Sequence, residues 1–306
     1  MASTQKNRDH RRGELPTHAE FRFEQNKEPL FGRATSKFNI GPFATDVIKT
    51  ILKDHGPDHT NEDLLFLYAV TGGVPKYIEL LMDEGATSAE KMLDRICVRD
   101  SLFLSEGKDL LISEFGKEYG TYFSILQTIA GGKNSGKEIN DATGKDCGAY
   151  LENLEKKYGI VRKNRPLFSK ENSRDIRWKI SDNYLRFYFR FISRNLSEIE
   201  RGRYDLLRND IVSGFSDYSG TVLEDYFNRK AGEEEIFTSI GSYWDRNGHN
   251  EIDLIVINDR DRKAIAADIK INPDKLNLAK LKERTGTVQG LKGYDIEYRM
   301  LSMDDM

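Results

Sequence analysis

Two runs in the last third of the chain carry its clearest alternation of apolar and polar positions: Glu251-Ile-Asp253-Leu-Ile-Val-Ile257 and Ala264-Ile-Ala-Ala-Asp268-Ile-Lys270-Ile271. The first is apolar nearly throughout, as a strand covered on both faces is, yet it includes the carboxylate of Asp253. In the second, a period of two puts Asp268 and Lys270 on one face and Ile265, Ala267, Ile269 and Ile271 on the other. Neighbouring strands of this kind present two carboxylates and one ammonium to a single spot. A buried carboxylate is strongly destabilising unless paired or bound to a cation, so the pattern implies either a divalent metal or a Lys-Asp pair.

Elsewhere the spacing predicts helices over 46–53, 62–69 and 78–82, with Thr71-Gly-Gly73-Val-Pro75 as an interruption. Helices over 122–130, 137–141 and 148–156 precede strand-like pieces at 160–163 and 176–180, the order of a winged helix-turn-helix. Residues 184–192 read as a strongly aromatic helix. Its Arg186, Arg190 and Arg194 fall at spacing four, with Asp182 and Glu198 placed to pair with them on the helix surface. The remainder reads as a helix over 218–230 bearing Glu224, strands over 236–243, 251–258 and 263–271, a basic helix over 276–290, and a strand over 296–301.

The 306 residues are 38% hydrophobic and 32% charged, enough for two or three domains with buried cores. A net charge of -3 gives no global attraction to nucleic acid or membrane, so an anionic partner must meet a local patch. One lies between Lys156 and Lys179, where nine basic residues face only Glu171 and Asp175. Among them Arg162, Lys163, Arg165, Lys170, Arg174 and Arg177 are candidate DNA contacts of the kind that position a duplex; the competing reading is a solvated surface on a winged helix that joins domains. Only Cys97 and Cys147 are present, which excludes a disulfide scaffold and a four-cysteine zinc site and suits a reducing cytoplasm. No apolar run is long enough to span a bilayer and no apolar segment follows the polar start, so neither a membrane partner nor a signal peptide is expected. His55 and His59 are separated by Gly56 and Pro57 and do not form a helical metal pair. Gly131-Gly-Lys-Asn-Ser-Gly136-Lys137 has the spacing of a phosphate loop, but it follows a helix and continues into Glu138 where a hydroxyl should bind magnesium. ATP hydrolysis by this chain is not expected.

The order Glu224, Asp253, Asp268-x-Lys270 resembles the PD-(D/E)XK nuclease superfamily. More narrowly, Gly220-Thr-Val-Leu-Glu224, Ile240-Gly-Ser-Tyr-Trp244-Asp, Glu251-Ile-Asp253 and Ala267-Asp268-Ile-Lys270 resemble the C-terminal domain of unknown function of a prokaryotic AAA-like (STAND-type) ATPase family. The resemblance implies that Asp253, Asp268 and Glu224 hold magnesium or manganese and that Lys270 holds the attacking water. Where the family usually has Glu-x-Lys this chain has Asp268-x-Lys270, a shorter reach. The stretches around Arg33 and around Gly73 and Pro75 resemble the tail of the ATPase module, which makes these three residues nucleotide-binding candidates; a turn kept for packing is the simpler reading. The expected fold class is α+β and multidomain: a lead-in without order over 1–28, a helical ATPase lid over 29–112, the winged helix over 113–182, a helical connector over 183–215, and an α/β restriction-endonuclease-like core over 216–306. The expected function is that of a DNA-binding, metal-dependent, nuclease-like protein related to such ATPases but lacking their phosphate loop. An ATPase front half or a second copy is an expected partner. The alternative is a non-catalytic regulatory or interaction module.

Overall fold

A computed structural model describes residues 41–306, apart from 171, 172, 174, 235, 246, 247 and 249 and the side chains of 109, 110 and 113. The expected lead-in, Arg33 and Arg174 lie outside the described residues. The chain is mixed α+β, with helices dominating and two small sheets. Among the described residues no helix is long and apolar enough to cross a membrane.

The first helices are α1 (Thr45–His55), α2 (Asn61–Thr71), α3 (Pro75–Asp83), α4 (Ala89–Ile96) and α5 (Leu102–Phe115). Helix α2 is apolar all round and every residue from Asp63 to Thr71 is buried, so it forms the centre of this bundle. Thr60 and Asp63 close a capping box at its start, and Gly72 ends it in the left-handed conformation. Gly73 follows at φ +87°, and a Cβ there would lie 2.8 Å from the Phe43 carbonyl oxygen, which leaves room for glycine alone.

Next come α6 (Tyr119–Ala130), α7 (Gly136–Thr143) and α8 (Gly148–Lys156), then the antiparallel pair β1 (Val161–Asn164) and β2 (Arg177–Ile180). The phosphate-loop look-alike is the turn into α7. Ser135 caps that helix and Glu138 answers with a carboxylate that accepts from the Ser135 amide and hydroxyl, so its acid serves a capping box.

The aromatic segment departs from the expected regular helix. Only α9 (Asn183–Phe187) is α-helical; Tyr188–Ile192 winds as a π-helix before α10 (Leu196–Glu200). The wider turn accommodates Phe187, Tyr188, Phe189, Phe191 and Ile192, all buried, and it breaks the spacing on which an arginine stripe depends. Arg186 is itself buried rather than paired on the surface with Asp182, whose carboxylate caps α9 instead.

Helix α11 (Tyr204–Gly232) runs 29 residues, starting well before the helix expected over 218–230. No proline interrupts it, and Leu207 and Ile211 extend its buried stripe backward. Gly214 keeps that early part in place, since a Cβ there would sit 2.9 Å from the Phe191 ring. The second sheet has the order β3 (Ser239–Trp244), β4 (Glu251–Asn258), β5 (Lys263–Lys270), β6 (Asp295–Ser302), with the first three antiparallel and β6 parallel to β5. Ile236 is 65% exposed, so the first strand begins later than its apolar text implies. The crossover to β6 carries α12 (Leu278–Gly286), which stops short of residue 290 and gives way to a 3-10 turn at Gln289–Leu291. Leu254, Val256, Ala267 and Ile269 join the core built around α11, while Ile255, Ile257, Ala264 and Ala266 pack with Leu281 of α12 on the other side. One core cluster runs from Ile48 to Met306, and a second, smaller one lies between the sheet and α12.

Candidate functional site

Strand register brings the expected groups together. Leu254 pairs with Ala267, so the residues one step outward, Asp253 on β4 and Asp268 on β5, come side by side. The Lys270 ammonium reaches both, 2.7 Å from Asp253 Oδ2 and 3.0 Å from Asp268 Oδ1. Asp253 Oδ2 also accepts from the Ile269 amide at 2.8 Å. Asp268 is only 5% exposed, and the Arg284 guanidinium stands 4.0 Å from its Oδ1. Burial works against the charge of Lys270, but its bonds to Asp253 and Asp268 outweigh this and hold the ammonium above the usual lysine value.

Glu224 approaches from α11. Burial first, and the Asp253 carboxylate second, push its carboxyl up to about 8. The next residue, Asp225, faces Lys179 on β2 and Arg186 on α9, with ion pairs to both. Burial opposes its charge too, but the two cations hold it below the usual carboxylate range. Asp225 does not stand out in the sequence, where it reads as another polar position beside Glu224, and Arg186 and Lys179 read there as surface cations. The signal that was available is the apolar run around it: Arg186 stands between Leu185 and Phe187 in the segment Tyr184-Leu-Arg-Phe-Tyr-Phe, so if that run is buried the arginine needs a carboxylate from elsewhere.

A cleft of about 860 Å³ opens beside these groups. Its lining includes the acids Glu224, Asp225 and Asp253 and the cations Arg162, Arg177 and Lys179. Asp268 and Lys270 lie behind Asp253 and do not line it. The strand period accounts for the basic side. Arg162 pairs with Lys179 and Asn164 with Arg177, so these four share one face of the ribbon. Val161, Trp178 and Ile180 take the other face and are buried. Lys163 follows them, its ammonium over the Trp178 ring and paired with Glu155 of α8.

The basic patch is therefore thinner than its sequence count implies. Lys156 pairs with Glu152 on its own helix, while Lys163 pairs with Glu155, Arg177 with Glu251 and Lys179 with Asp225, three acids supplied from other elements. Arg162, Arg165 and Lys170 are exposed and make no ion pair among the described residues. The loop between the strands is tied to the second sheet. The Leu167 amide donates to Ser242 O at 2.9 Å, the Trp244 indole donates to Asp175 at 3.0 Å, and Arg177 stacks on Trp244 at 4.3 Å.

The turn with Gly73 and Pro75 lies against the end of α11. Arg229 of α11 donates to Gly72 O at 2.6 Å, to Pro42 O at 3.1 Å and to Phe43 O, while Glu233 accepts from the Thr45 amide and hydroxyl. The other acids near the candidate ligands are used elsewhere: Asp259 binds Tyr294 and Thr238, and Glu251 binds Arg177. His55 and His59 each bond a backbone carbonyl, of Ile51 and Gly56.

Among the described residues no group of three or more His, Cys, Asp or Glu side chains is arranged to hold a metal ion. The donors that do converge are carboxylate oxygens, the kind a hard divalent cation takes. Two facts fit such an ion: Glu224, raised first by burial, is raised further by the Asp253 carboxylate beside it, and the positive group in contact with both aspartates among the described residues is an ammonium on a flexible stem.

Residues 188–283 match DUF234, a family described as archaea bacterial proteins of unknown function. That span holds Glu224, Asp253, Asp268 and Lys270. The chain is 33% identical over 254 residues to an uncharacterized protein of Methanocaldococcus jannaschii, an alignment covering 80% of this chain and 55% of the relative. The chain thus spans about half the length of the curated relative it matches. No solved structure matches it.

Proposed function

We propose that this protein binds DNA and hydrolyses its phosphodiester bonds with a divalent metal, and that it is built as a helical lid, a winged helix and a PD-(D/E)XK nuclease-like core related to AAA/STAND-type ATPases. The observation that carries this reading is the shared cleft: the carboxylates of Glu224 and Asp253 and the cations Arg162, Arg177 and Lys179 line one opening. A polyanion entering it meets both positive charge and reactive groups.

Asp253, Asp268 and Glu224 would hold magnesium or manganese, which when bound polarises the phosphodiester and activates water. The chain's own contribution begins with Lys270. Its ammonium, oriented by Asp253, Asp268 and the Ile269 carbonyl, supplies positive charge where the phosphate becomes more negative. Glu224 holds a proton on its carboxyl near neutral pH until positive charge arrives beside it. The Ile269 amide fixes the orientation of Asp253. The test is cleavage of labelled DNA in magnesium or manganese by the wild type and by Asp253→Ala and Lys270→Ala. Metal-dependent cleavage lost in both variants is the expected result; equal, unaffected cleavage by both removes the assignment.

One observation favours a second reading, a non-catalytic regulatory or interaction module. Lys270 already satisfies both aspartates, as it would in a site that has become a structural ion pair. Calorimetric titration with magnesium separates the two, since a structural pair gives neither binding heat nor thermal stabilisation.

A further inference from the structure

We infer that the cleft takes a single nucleic-acid strand, not a duplex, and that Arg162, Lys179 and Arg177 on the inward face of the β1–β2 ribbon grip its phosphates. The inference rests on the nucleic-acid reading above but not on hydrolysis.

Width argues first. The ribbon and its loop are tied to their surroundings by direct contacts: Leu167 N to Ser242 O at 2.9 Å, Trp244 Nε1 to Asp175 Oδ1 at 3.0 Å, and the ion pairs Arg177–Glu251 and Lys179–Asp225. With the ribbon and its loop bonded to the second sheet and to α11 at these points, a rigid duplex cannot pass fully between them. A lone backbone with splayed bases needs only side-chain dimensions.

Charge argues second. Around Asp225 stand Lys179, Arg186 and Arg162, three cations against one carboxylate, and Arg162 is exposed with no ion pair of its own among the described residues. Arg177 and Glu251 form a half-exposed pair, which water screens and a phosphate can replace at small cost. Lys179 is more buried and stays with Asp225, offering its remaining protons to the cleft. Arg162 and Lys179 are cross-strand partners and Arg177 sits two residues along β2, so the three cations form a compact triangle beside Asp253 and Glu224.

The third argument is the loss of the alternative. The ribbon's other face is core: Val161, Trp178 and Ile180 are buried, and Lys163 beside them is committed to Glu155 and to the Trp178 ring, so that face offers a duplex no free cation.

The test is fluorescence anisotropy in EDTA, which permits binding but no metal-dependent cleavage, with three labelled probes: a 20-nucleotide oligothymidylate, the same strand paired with oligoadenylate, and oligouridylate. We expect the single DNA strand to bind at least tenfold more tightly than the duplex, with a salt slope of about −2 for three phosphate contacts. Arg162→Glu, an exposed change that leaves the melting temperature unaltered, should weaken binding at least tenfold, and Lys179→Gln should do so independently. Equal affinity for the DNA and RNA single strands supports a grip on the backbone shared by both, and a tenfold preference for oligouridylate assigns the strand to RNA. Duplex binding as tight as single-strand binding overturns the inference, as does unchanged affinity in the Arg162→Glu, Lys179→Gln double variant. Single-strand binding without cleavage in magnesium would sink the hydrolytic proposal and leave this one standing; duplex cleavage without strand preference would do the reverse.

Discussion

Glu224 and Asp225 are consecutive on α11, yet the fold keeps the first carboxyl protonated to about 8 and the second ionised. Both are desolvated, so the difference lies in their neighbours. Glu224 meets the negative Asp253, whereas Asp225 meets Lys179 and Arg186. One helical step thus separates a proton-holding group in the cleft from a structural anion that joins the long helix to the ribbon and to α9.

The raised Glu224 carboxyl sets a pH dependence of stability. Unfolded, a glutamate ionises near about 4.3. Between that value and about 8 the folded chain keeps a proton that the unfolded chain releases, so stability falls as pH rises through this window. Glu224→Gln removes the effect. Its melting temperature should gain on that of the wild type steadily from pH 5 to pH 8 and then level off. Parallel curves over that range would mean that the carboxyl ionises normally.

Asp253→Asn and Lys270→Ala test the site chemistry. Each removes a charge from a network in which Lys270 bridges both aspartates. Metal-dependent cleavage should fall by about 100-fold or more in each, the scale found when one preorganised electrostatic group is lost. Far-ultraviolet circular dichroism should stay unchanged, which separates lost chemistry from lost folding.

Arg229→Ala tests the clamp on the N-terminal helices. The guanidinium satisfies three backbone carbonyls and pairs with Glu233, which in turn holds the start of α1. Its loss should cost about 3 kcal/mol, as expected for a half-buried charge with several partners. The denaturant midpoint measures this, and a loss below about 1 kcal/mol would place the contact with ordinary surface pairs.

Gly290→Ala tests how the ribbon loop is seated. A Cβ at Gly290 would fall 2.2 Å from the Phe168 ring, so the ring must leave its seat. Hydrogen exchange should then accelerate at the Leu167 amide, which donates to Ser242, while β4 and β5 amides keep their protection. Unchanged exchange at Leu167 would show that the loop holds without Phe168.

How much of this was legible in the sequence depended on whether a feature had a period. The strands around Asp253 and Asp268 alternate or run apolar, and their order and shared carboxylate spot could be read directly. The split of the basic patch into a cleft face and a core face follows the same period of two, once β1 and β2 are paired. What could not be read is any pairing between distant elements: Asp225 with Arg186, Glu251 with Arg177, or Arg229 with the turn at Gly72. Helix ends were misjudged where packing outweighed local signals. The early part of α11 is held by contacts such as Gly214 against Phe191, and the π-helical turn at Tyr188–Ile192 answers to the bulk of its aromatic rings.

The 29-residue α11 has a mechanical consequence. Within ten positions the helix and its C-terminal cap present Glu224 and Asp225 to the cleft and Arg229 and Glu233 to the N-terminal bundle, with no proline between them. The loop at Gly72 and the acids of the cleft are thus joined through one continuous helix, as a key's bow is joined to its bit through the shaft.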